Sequence, residues 1–194
     1  PVTMIRPSHT YNEQSIPVAI HGKNGSFSVI ERIRNGKKVI VPGDGSSLWT
    51  LTHNTDFAKA FTGLMGNAHA IGEAVHITSD ESLTWNQIYD IIASALGAKP
   101  KLVHIPTDAL RKVNDDFTGS LLGDKANTVI FDNSKVKRLV PGFTATMRFD
   151  QGVKLALDYI YSHEECRIKD PEFDDWTDRM IEAYEKFTQN LPRL

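Results

Sequence analysis

The sequence predicts an α/β fold, consisting of the closing part of a doubly wound sheet with a small mixed α/β lobe appended to it. Short β-type runs alternate with amphipathic helices along the 194 residues, which is the α/β signature. The β runs are few and short while the helices are numerous, so the strands do not suffice for a complete doubly wound sheet. Hydrophobic residues make up 40% and charged residues 24%, an ordinary globular composition that can bury a core.

The first half of the chain contains four predicted strands and two predicted helices. Ser26 is a predicted helix N-cap, and Phe27, Ile30 and Ile33 follow it on one helix face. The second helix carries large apolar residues at helical spacing, namely Phe57, Phe61, Leu64 and Met65. In order, the predicted elements are strand 2–5, loop 12–25, a helix from 26 closed at 35–36, strand 39–41, turn 42–45, strand 48–52, helix 54–66 and strand 74–78.

The second half is predicted to be mostly helical. Thr84 is a predicted N-cap, and the helix that follows ends at Gly97. The remaining predicted elements are strand 102–105, a helix opening at 106–107, strand 129–131, helix 134–139, helix 150–164 and helix 171–189. The last helix places its aromatic residues and one Met on a single stripe, which consists of Phe173, Trp176, Met180, Tyr184 and Phe187. This stripe is expected to pack against its own lobe or against another subunit of a homo-oligomer.

Charge and cysteine content exclude several classes of protein. The net charge is −2 with both signs mixed along the chain, which argues against a nucleic-acid-binding face. No apolar run approaches the length of a membrane span, so no membrane partner is expected. The single Cys166 cannot form an internal disulfide, so we expect a cytoplasmic location.

Local motifs do not predict catalysis by this chain alone. Gly43 and Gly45 resemble the start of a dinucleotide fingerprint, but the third glycine is missing and a strand follows, so a tight turn is the better interpretation. No histidines have zinc-ligand spacing, and His76 and His104 are expected to be hydrogen-bonded structural residues. The carboxylate pairs at 115–116 and 174–175 are expected to be solvated surface. We therefore predict no metal site and no catalytic residues.

Three segments, in this order, are similar to the extended short-chain dehydrogenases/reductases of the NAD-dependent epimerase/dehydratase kind. They are MIRPSHTY at 4–11, PGDG at 42–45 with LTHNTDFA at 51–58, and FDNSK at 131–135 with LVP at 139–141. Each segment alone is a weak signal, but their order and spacing are fairly specific. The resemblance extends from residue 4 to about residue 160.

The resemblance implies that residues 1–194 are the C-terminal, substrate-binding portion of such an enzyme. In that family a Rossmann domain and a Tyr-x-x-x-Lys pair both precede the first of these segments. None of the five tyrosines of this chain has a Lys four positions on. We therefore expect the dinucleotide-binding half to be absent from the chain, and the full-length protein to bind NAD or NADP.

The resemblance also implies the site residues. Pro7, Ser8 and His9 are expected to lie at the nicotinamide end of the cofactor. His9 and Tyr11 are expected to face the substrate, and Asp56 to cap its helix. Trp49 and Leu121 stand where family members that act on nucleotide sugars carry the two Arg residues that hold the diphosphate. Because both are apolar, the expected substrate is a smaller molecule such as a carbonyl compound.

Two kinds of function therefore remain open. The first is the substrate-side portion of an NAD(P)-dependent epimerase, dehydratase or carbonyl reductase that acts on a small molecule by hydride transfer. The alternative is a redox-inactive relative that binds RNA or a protein partner, as some plant-organelle relatives do. For the alternative, the available basic clusters are 37–38, 135 and 137–138, which an ordinary solvated face would also explain.

Overall fold

The computed structural model describes residues 1–192, whose eight short strands pair two by two. The strands are β1 (Met4–Pro7), β2 (His9–Tyr11), β3 (Lys38–Pro42), β4 (Leu48–Trp49), β5 (Leu51–His53), β6 (Ala74–Ile77), β7 (Leu83–Thr84) and β8 (Lys101–Ile105). β1 pairs with β6, β2 with β5 and β3 with β8, all in parallel, while β4 pairs antiparallel with β7. Parallel pairs joined through helices are the arrangement of an α/β fold.

Seven α-helices cover these strand pairs. They are α1 (Phe27–Arg34), α2 (Asn54–Leu64), α3 (Trp85–Ala95), α4 (Thr107–Arg111), α5 (Ser134–Leu139), α6 (Phe149–Ser162) and α7 (Pro171–Gln189). A π-helical segment at Thr118–Lys125 and short 3₁₀ turns complete the secondary structure. No helix in the described part of the chain is both long and apolar enough to cross a membrane.

The buried residues form two separate hydrophobic clusters. The large cluster contains most of the core and is built around α1, α3, α6 and β3, with Trp85 and Tyr89 fully buried in it. The small cluster joins α2, α5 and β6, and its centre includes Val75, Ile77 and Val136. β1 and β6 therefore belong to the small cluster, whereas β3 and β4 belong to the large one.

Three predicted strands differ from the observed ones. The first strand is Met4–Pro7 rather than 2–5, because its register is set by pairing with β6. The run 48–52 is divided into β4 and β5, since its two ends pair with different strands in opposite directions. Residues 129–131 form no strand, because only one backbone bond, from Val129 N–H to the Leu48 carbonyl oxygen (3.1 Å), joins them to a neighbour.

Several helices are observed where they were predicted, but some of their ends, caps or buried faces differ from the prediction. Thr84 caps α3 as predicted, in a reciprocal box with Gln87. Ser26 makes no side-chain capping bond, because its backbone is already helical. Phe61 of α2 is exposed, since Ala60 and Leu64 take the buried face, and Met65, which follows the last residue of the helix, is exposed as well. The predicted helix 150–164 is observed as Phe149–Ser162, followed by a 3₁₀ turn.

Two carboxylates have different surroundings from those predicted. Asp56 is structural, but instead of capping α2 it accepts hydrogen bonds from the backbone N–H of Met147 (2.7 Å) and from Lys59 (2.7 Å). Asp174 is not plain solvated surface, because it pairs with the buried guanidinium of Arg32 (2.5 Å). Both carboxylates join segments that are far apart in sequence, so sequence alone does not indicate their role.

Candidate functional site

A cavity of about 250 Å³ lies where β1, β2 and β4 end or begin, and four of the predicted site residues line it. These are Pro7, Ser8, His9 and Trp49, and the rest of the wall comes from Thr50, Asp124, Val129 and Phe131. Open α/β sheets bind ligands outside the carboxyl ends of their strands, and Pro7 is the last residue of β1. The cavity is therefore placed where the fold favours a ligand site.

Trp49 forms an apolar wall of this cavity. Its side chain is 7% exposed and packs against Trp85, with ring centroids 5.7 Å apart. The indole Nε1 of Trp49 is buried and has no hydrogen-bond partner among the described residues, whereas Trp85 Nε1 donates to the Lys125 carbonyl oxygen (3.1 Å). Position 49 thus presents an apolar ring to the cavity rather than a cation.

His9 is an uncharged member of the cavity wall at neutral pH. Burial, followed by the nearby charges of Lys125 and His21, lowers the pKa of His9 from 6.5 to about 4. A neutral imidazole can donate and accept one hydrogen bond each, but it cannot neutralise a diphosphate. The cavity is consequently suited to an uncharged ligand group.

Replacing His9 with Gln is expected to reduce the acid sensitivity of the fold. Above pH 6.5 His9 is neutral in both states, but between pH 6.5 and about 4 only the unfolded chain takes up the proton. The free energy of unfolding of the wild type therefore falls as the pH falls through this window. Denaturant unfolding at pH 7.5, 5.5 and 4.5 should show a smaller decrease for His9→Gln. An equal decrease in His21→Gln and His9→Gln would contradict the assignment.

Tyr11 and Leu121 lie away from this cavity. The Tyr11 ring packs edge-on against His53 and Phe149, and its hydroxyl is buried against Gly152 with no hydrogen-bond partner among the described residues. Leu121 is 1% exposed and belongs to the large hydrophobic cluster. The structure thus brings together Pro7, Ser8, His9 and Trp49, and places the other two predicted substrate residues in the core.

A short chain of hydrogen-bonded polar groups fixes the position of the Ser8 hydroxyl. The Ser8 hydroxyl lies 2.8 Å from the hydroxyl of Thr52, which is fully buried on β5. Thr52 Oγ1 in turn accepts the backbone N–H of Ser79 (2.8 Å), just after β6. Ser79 Oγ accepts the backbone N–H of Glu81 (3.0 Å). A relay of hydrogen bonds therefore joins the Ser8 hydroxyl in the cavity wall, through Thr52 on β5, to the segment that follows β6.

A second, larger cavity of about 430 Å³ is also lined by the π-helical segment. Apolar groups of Ile20, Phe117 and Trp176 contribute to its wall, together with the side chain of Lys125. Burial lowers the pKa of Lys125 against the opposing influence of Asp124. Asp124 lines the smaller cavity and Lys125 the larger one, so these consecutive residues stand between the two.

The lysines of the basic clusters are paired with acids, whereas Arg138 contacts the Ser134 hydroxyl (3.5 Å) and pairs with no acid among the described residues. Lys37 pairs with Asp174 (3.0 Å), and Lys38 pairs with Glu185 (2.5 Å). Likewise, Lys135 and Lys137 pair with Glu73 (2.9 Å) and Asp80 (2.8 Å). Within residues 1–192 these lysines thus do not form an unneutralised basic face. No group of three or more His, Cys, Asp or Glu side chains in that part of the chain is arranged to hold a metal.

Sequence reasoning missed the far wall of the cavity. Asp124 belongs to the π-helical segment, which was not predicted, and Val129 and Phe131 belong to the run that was predicted as a strand. Hydrogen bonds from the Ser47 hydroxyl to the Lys125 carbonyl oxygen (2.8 Å) and from the Val129 N–H to the Leu48 carbonyl oxygen (3.1 Å) hold these residues beside β4. His104 is hydrogen-bonded to Asn86 (2.8 Å), as predicted for a structural histidine. His76 has no partner for its buried Nδ1 among the described residues and instead packs against Phe131.

The sequence is similar to two kinds of curated protein, each over part of its length. A 2'-dehydrokanamycin reductase of Streptomyces kanamyceticus is 28% identical over 109 residues, which are 56% of this chain and 30% of that protein. The chloroplast stem-loop binding protein of 41 kDa b of Arabidopsis thaliana is 31% identical over 93 residues, 45% of this chain and 25% of that protein. No protein-family model matches the chain.

The fold is similar to that of solved epimerases. An epimerase from Methanothermobacter thermautotrophicus aligns with a TM-score of 0.65 at 18% identity, covering 85% of this chain and 44% of that one. UDP-glucuronic acid 4-epimerase from Bacillus cereus, solved with UDP-glucuronic acid and NAD, aligns with a TM-score of 0.62 at 19% identity, covering 84% and 46%. UDP-glucose 4-epimerase from Thermotoga maritima, solved with UDP-glucose, gives 0.60 at 22%, covering 81% and 45%.

These alignments confirm the predicted fold, that of part of a Rossmann-type extended short-chain dehydrogenase. The chain spans less than half of the length of these structures and less than a third of the curated relatives it matches. The predicted resemblance to NAD-dependent epimerases and dehydratases is thus confirmed for the architecture.

Proposed function

We propose that this chain is the substrate-side portion of an NAD(P)-dependent epimerase, dehydratase or carbonyl reductase that acts on a small molecule. The observation that carries the proposal is the cavity at the end of β1, because four residues expected around the nicotinamide and the substrate meet there. The NAD-bound epimerase with the same fold and the similar reductase support the same kind of chemistry.

The residues in this cavity fit the nicotinamide end of a cofactor. Pro7 and Ser8 supply the backbone and hydroxyl at the strand end, and Trp49 supplies an apolar wall that excludes water. When bound, the nicotinamide supplies or accepts the hydride. His9 stays neutral beside it at physiological pH and so adds no charge that would compete with the ring. This chain contributes no Tyr-x-x-x-Lys pair, so the proton transfer requires residues outside it.

The proposed substrate is not a typical nucleotide-diphosphate sugar. None of the eight described residues that line the smaller cavity is Arg or Lys. A diphosphate held without cationic partners would lose the bidentate, charge-assisted bonds that usually fix it. An uncharged carbonyl or hydroxyl group matches the neutral His9 and the apolar ring of Trp49 better.

The first experiment is to determine the coding sequence upstream of Pro1 and to titrate the complete gene product with NAD⁺ and NADP⁺. A glycine-rich strand-turn-helix followed by Tyr-x-x-x-Lys, with saturable binding of one cofactor, is the expected result. An upstream region without the Tyr and Lys, together with no binding of either cofactor, would refute the enzyme function.

Cytoplasmic location is part of the proposal and follows from the single Cys166, which forms no internal disulfide.

The second candidate function is binding of RNA by a redox-inactive relative. The similarity to the chloroplast stem-loop binding protein favours it. The pairing of Lys37, Lys38, Lys135 and Lys137 with carboxylates disfavours it, because counterion release requires free cations. An RNA affinity that falls steeply between 50 and 200 mM salt would support this function, while affinity below detection at low salt would exclude it.

A homo-oligomer through the aromatic stripe of α7 receives little support from the packing. Phe173, Trp176, Met180 and Tyr184 pack against the large hydrophobic cluster of the same chain. Phe187, at 62% exposed, is the stripe member left at the surface. Any self-association is better placed at β1, where Met4 is 53% exposed beside a strand that pairs with β6.

A further inference from the structure

We propose that the Ser8 hydroxyl donates a hydrogen bond to an uncharged oxygen of the ligand in the smaller cavity, and that Thr52 fixes its direction. The inference rests on the proposed function, because it takes this cavity to be the site of the nicotinamide and the substrate. It adds the donor role of the Ser8 hydroxyl and a positioning residue, Thr52, which does not itself line the cavity.

The direction of the hydrogen bonds follows from the burial of Thr52. Its hydroxyl is fully buried, and Oγ1 accepts the backbone N–H of Ser79 at 2.8 Å. Within residues 1–192, the other polar atom at hydrogen-bond distance from Oγ1 is Ser8 Oγ, also at 2.8 Å. If Ser8 donated to Thr52, the Thr52 proton would be buried without an acceptor, which is costly. Thr52 therefore donates to Ser8.

The consequence is a free donor in the cavity. A hydroxyl has one proton and two acceptor lone pairs. When Ser8 accepts from Thr52, its own proton is left for another partner. Ser8 lines the cavity and has no second protein partner among the described residues, so this proton is available to a ligand. Because Ser8 Oγ already accepts a hydrogen bond from Thr52, the Ser8 O–H is preorganised to donate and loses little rotational freedom when a ligand binds.

The chemistry of the wall decides which ligand atom would accept this proton. The neutral His9 and the ring of Trp49 favour an uncharged group, and Asp124 disfavours an anion. The acceptor is therefore a carbonyl, carboxamide or hydroxyl oxygen. The carboxamide of the nicotinamide and a carbonyl of the substrate share this chemistry, and the two sources are separable by experiment.

The hydrogen-bond direction is tested on this chain without any ligand. Ser8→Ala should lower the Tm by about 2–6 °C, because it leaves the buried Thr52 proton unpaired. The matched control is Ser47→Ala, in which a half-buried serine that donates to the Lys125 carbonyl oxygen (2.8 Å) is removed. If Ser8 donated to Thr52 instead, Ser8→Ala would lower the Tm no more than Ser47→Ala does, because each change would then remove one donated hydrogen bond and leave no buried proton newly unpaired. That result would overturn the proposal.

The ligand contact is tested on the complete gene product with NAD⁺, ADP-ribose and a panel of uncharged carbonyl compounds. Loss of one neutral hydrogen bond predicts about tenfold weaker binding in Ser8→Ala. A loss for NAD⁺ but not for ADP-ribose places the donor at the carboxamide. A rise in KM for the carbonyl compound alone, with NAD⁺ affinity unchanged, places it at the substrate. Thr52→Val should reproduce the loss, and Thr52→Ser, which keeps the hydroxyl, should restore binding.

The two proposals fail in different ways. If the wild type binds ligand and Ser8→Ala binds it equally well, the role of Ser8 is wrong while the proposed function stands. If the wild type binds none of these ligands, the proposed function and the role of Ser8 are both wrong.

Discussion

Replacing Arg32 with Met is expected to lower the free energy of unfolding by about 3 kcal/mol. Arg32 is 2% exposed on α1, and its Nε donates to the Lys38 carbonyl oxygen at 2.9 Å. The other guanidinium nitrogens bind the carboxylates of Asp174 and Asp178 on α7. Removing the guanidinium leaves that carbonyl unpaired and separates two helices. Lys37 contacts both carboxylates and limits the cost.

The matched control is Arg34→Met on the same helix. Arg34 has a 54% exposed side chain and pairs loosely with Glu31 (3.4 Å), so its loss should cost below about 1 kcal/mol. Urea unfolding of the two variants gives the comparison directly. Equal destabilisation would show that Arg32 stabilises the fold only by packing of its aliphatic part.

The Arg32 contacts also predict a pH dependence. Although burial raises it, hydrogen bonds from Arg32 and Lys37 hold the pKa of Asp174 below its ordinary value, and the bond from Arg32 does the same for Asp178. Groups with a lowered folded pKa stabilise the fold above their unfolded pKa, about 3.9, and lose this contribution as the pH falls through the folded value. Arg32→Met should therefore lose less stability than the wild type below about pH 4.

Replacing Asn133 with Ala is expected to cost about 3 kcal/mol as well. Asn133 is buried beside β6, and its Nδ2 donates to the Thr78 carbonyl oxygen (2.7 Å) and to Asp80 (3.1 Å). Its Oδ1 accepts the Thr78 hydroxyl (3.0 Å). Alanine would leave both Thr78 groups buried and unpaired.

Asn127→Ala is the control for Asn133. Asn127 is exposed and donates to the Leu122 carbonyl oxygen (2.9 Å), so its replacement should change the free energy of unfolding by about 0.5 kcal/mol or less. Thermal and urea unfolding should agree on this order. A small effect of Asn133→Ala would mean that water replaces the amide, and that the FDNSK segment does not hold β6 in place.

Periodicity predicted most helices and the buried strands, but it missed β2, β7 and the π-helical segment and did not indicate which strands pair. The helices and buried β runs were predictable because apolar spacing and caps such as Thr84 are local signals. The division of 48–52 into two strands was not, because it depends on which neighbour each half pairs with. Arg32 and its acids on α7 are about 140 residues apart in sequence, so their contact has no local signature.

The site was predictable only where the family resemblance named residues. It named Pro7, Ser8, His9 and Trp49, which meet at the cavity. It also named Tyr11 and Leu121, but both side chains are buried in the core. At these two positions the alternation of side chains along the strand and the orientation of the helical turn, rather than the motif, decide where the side chain points. Nothing in the sequence indicated that Thr52 positions Ser8, since their contact is formed only in the folded structure.

We expect the two hydrophobic clusters to act as two units that open independently of each other. The small cluster around Val75, Ile77 and Val136 buries far fewer apolar side chains than the large one. Its amides should therefore exchange with solvent through a sub-global opening of lower free energy. The smaller cavity lies across the boundary, with Pro7 on β1 and Trp49 in the large cluster. A bound ligand would therefore link the two units energetically. Amide exchange in β1 and β6 should slow on binding more than exchange in the already protected α3.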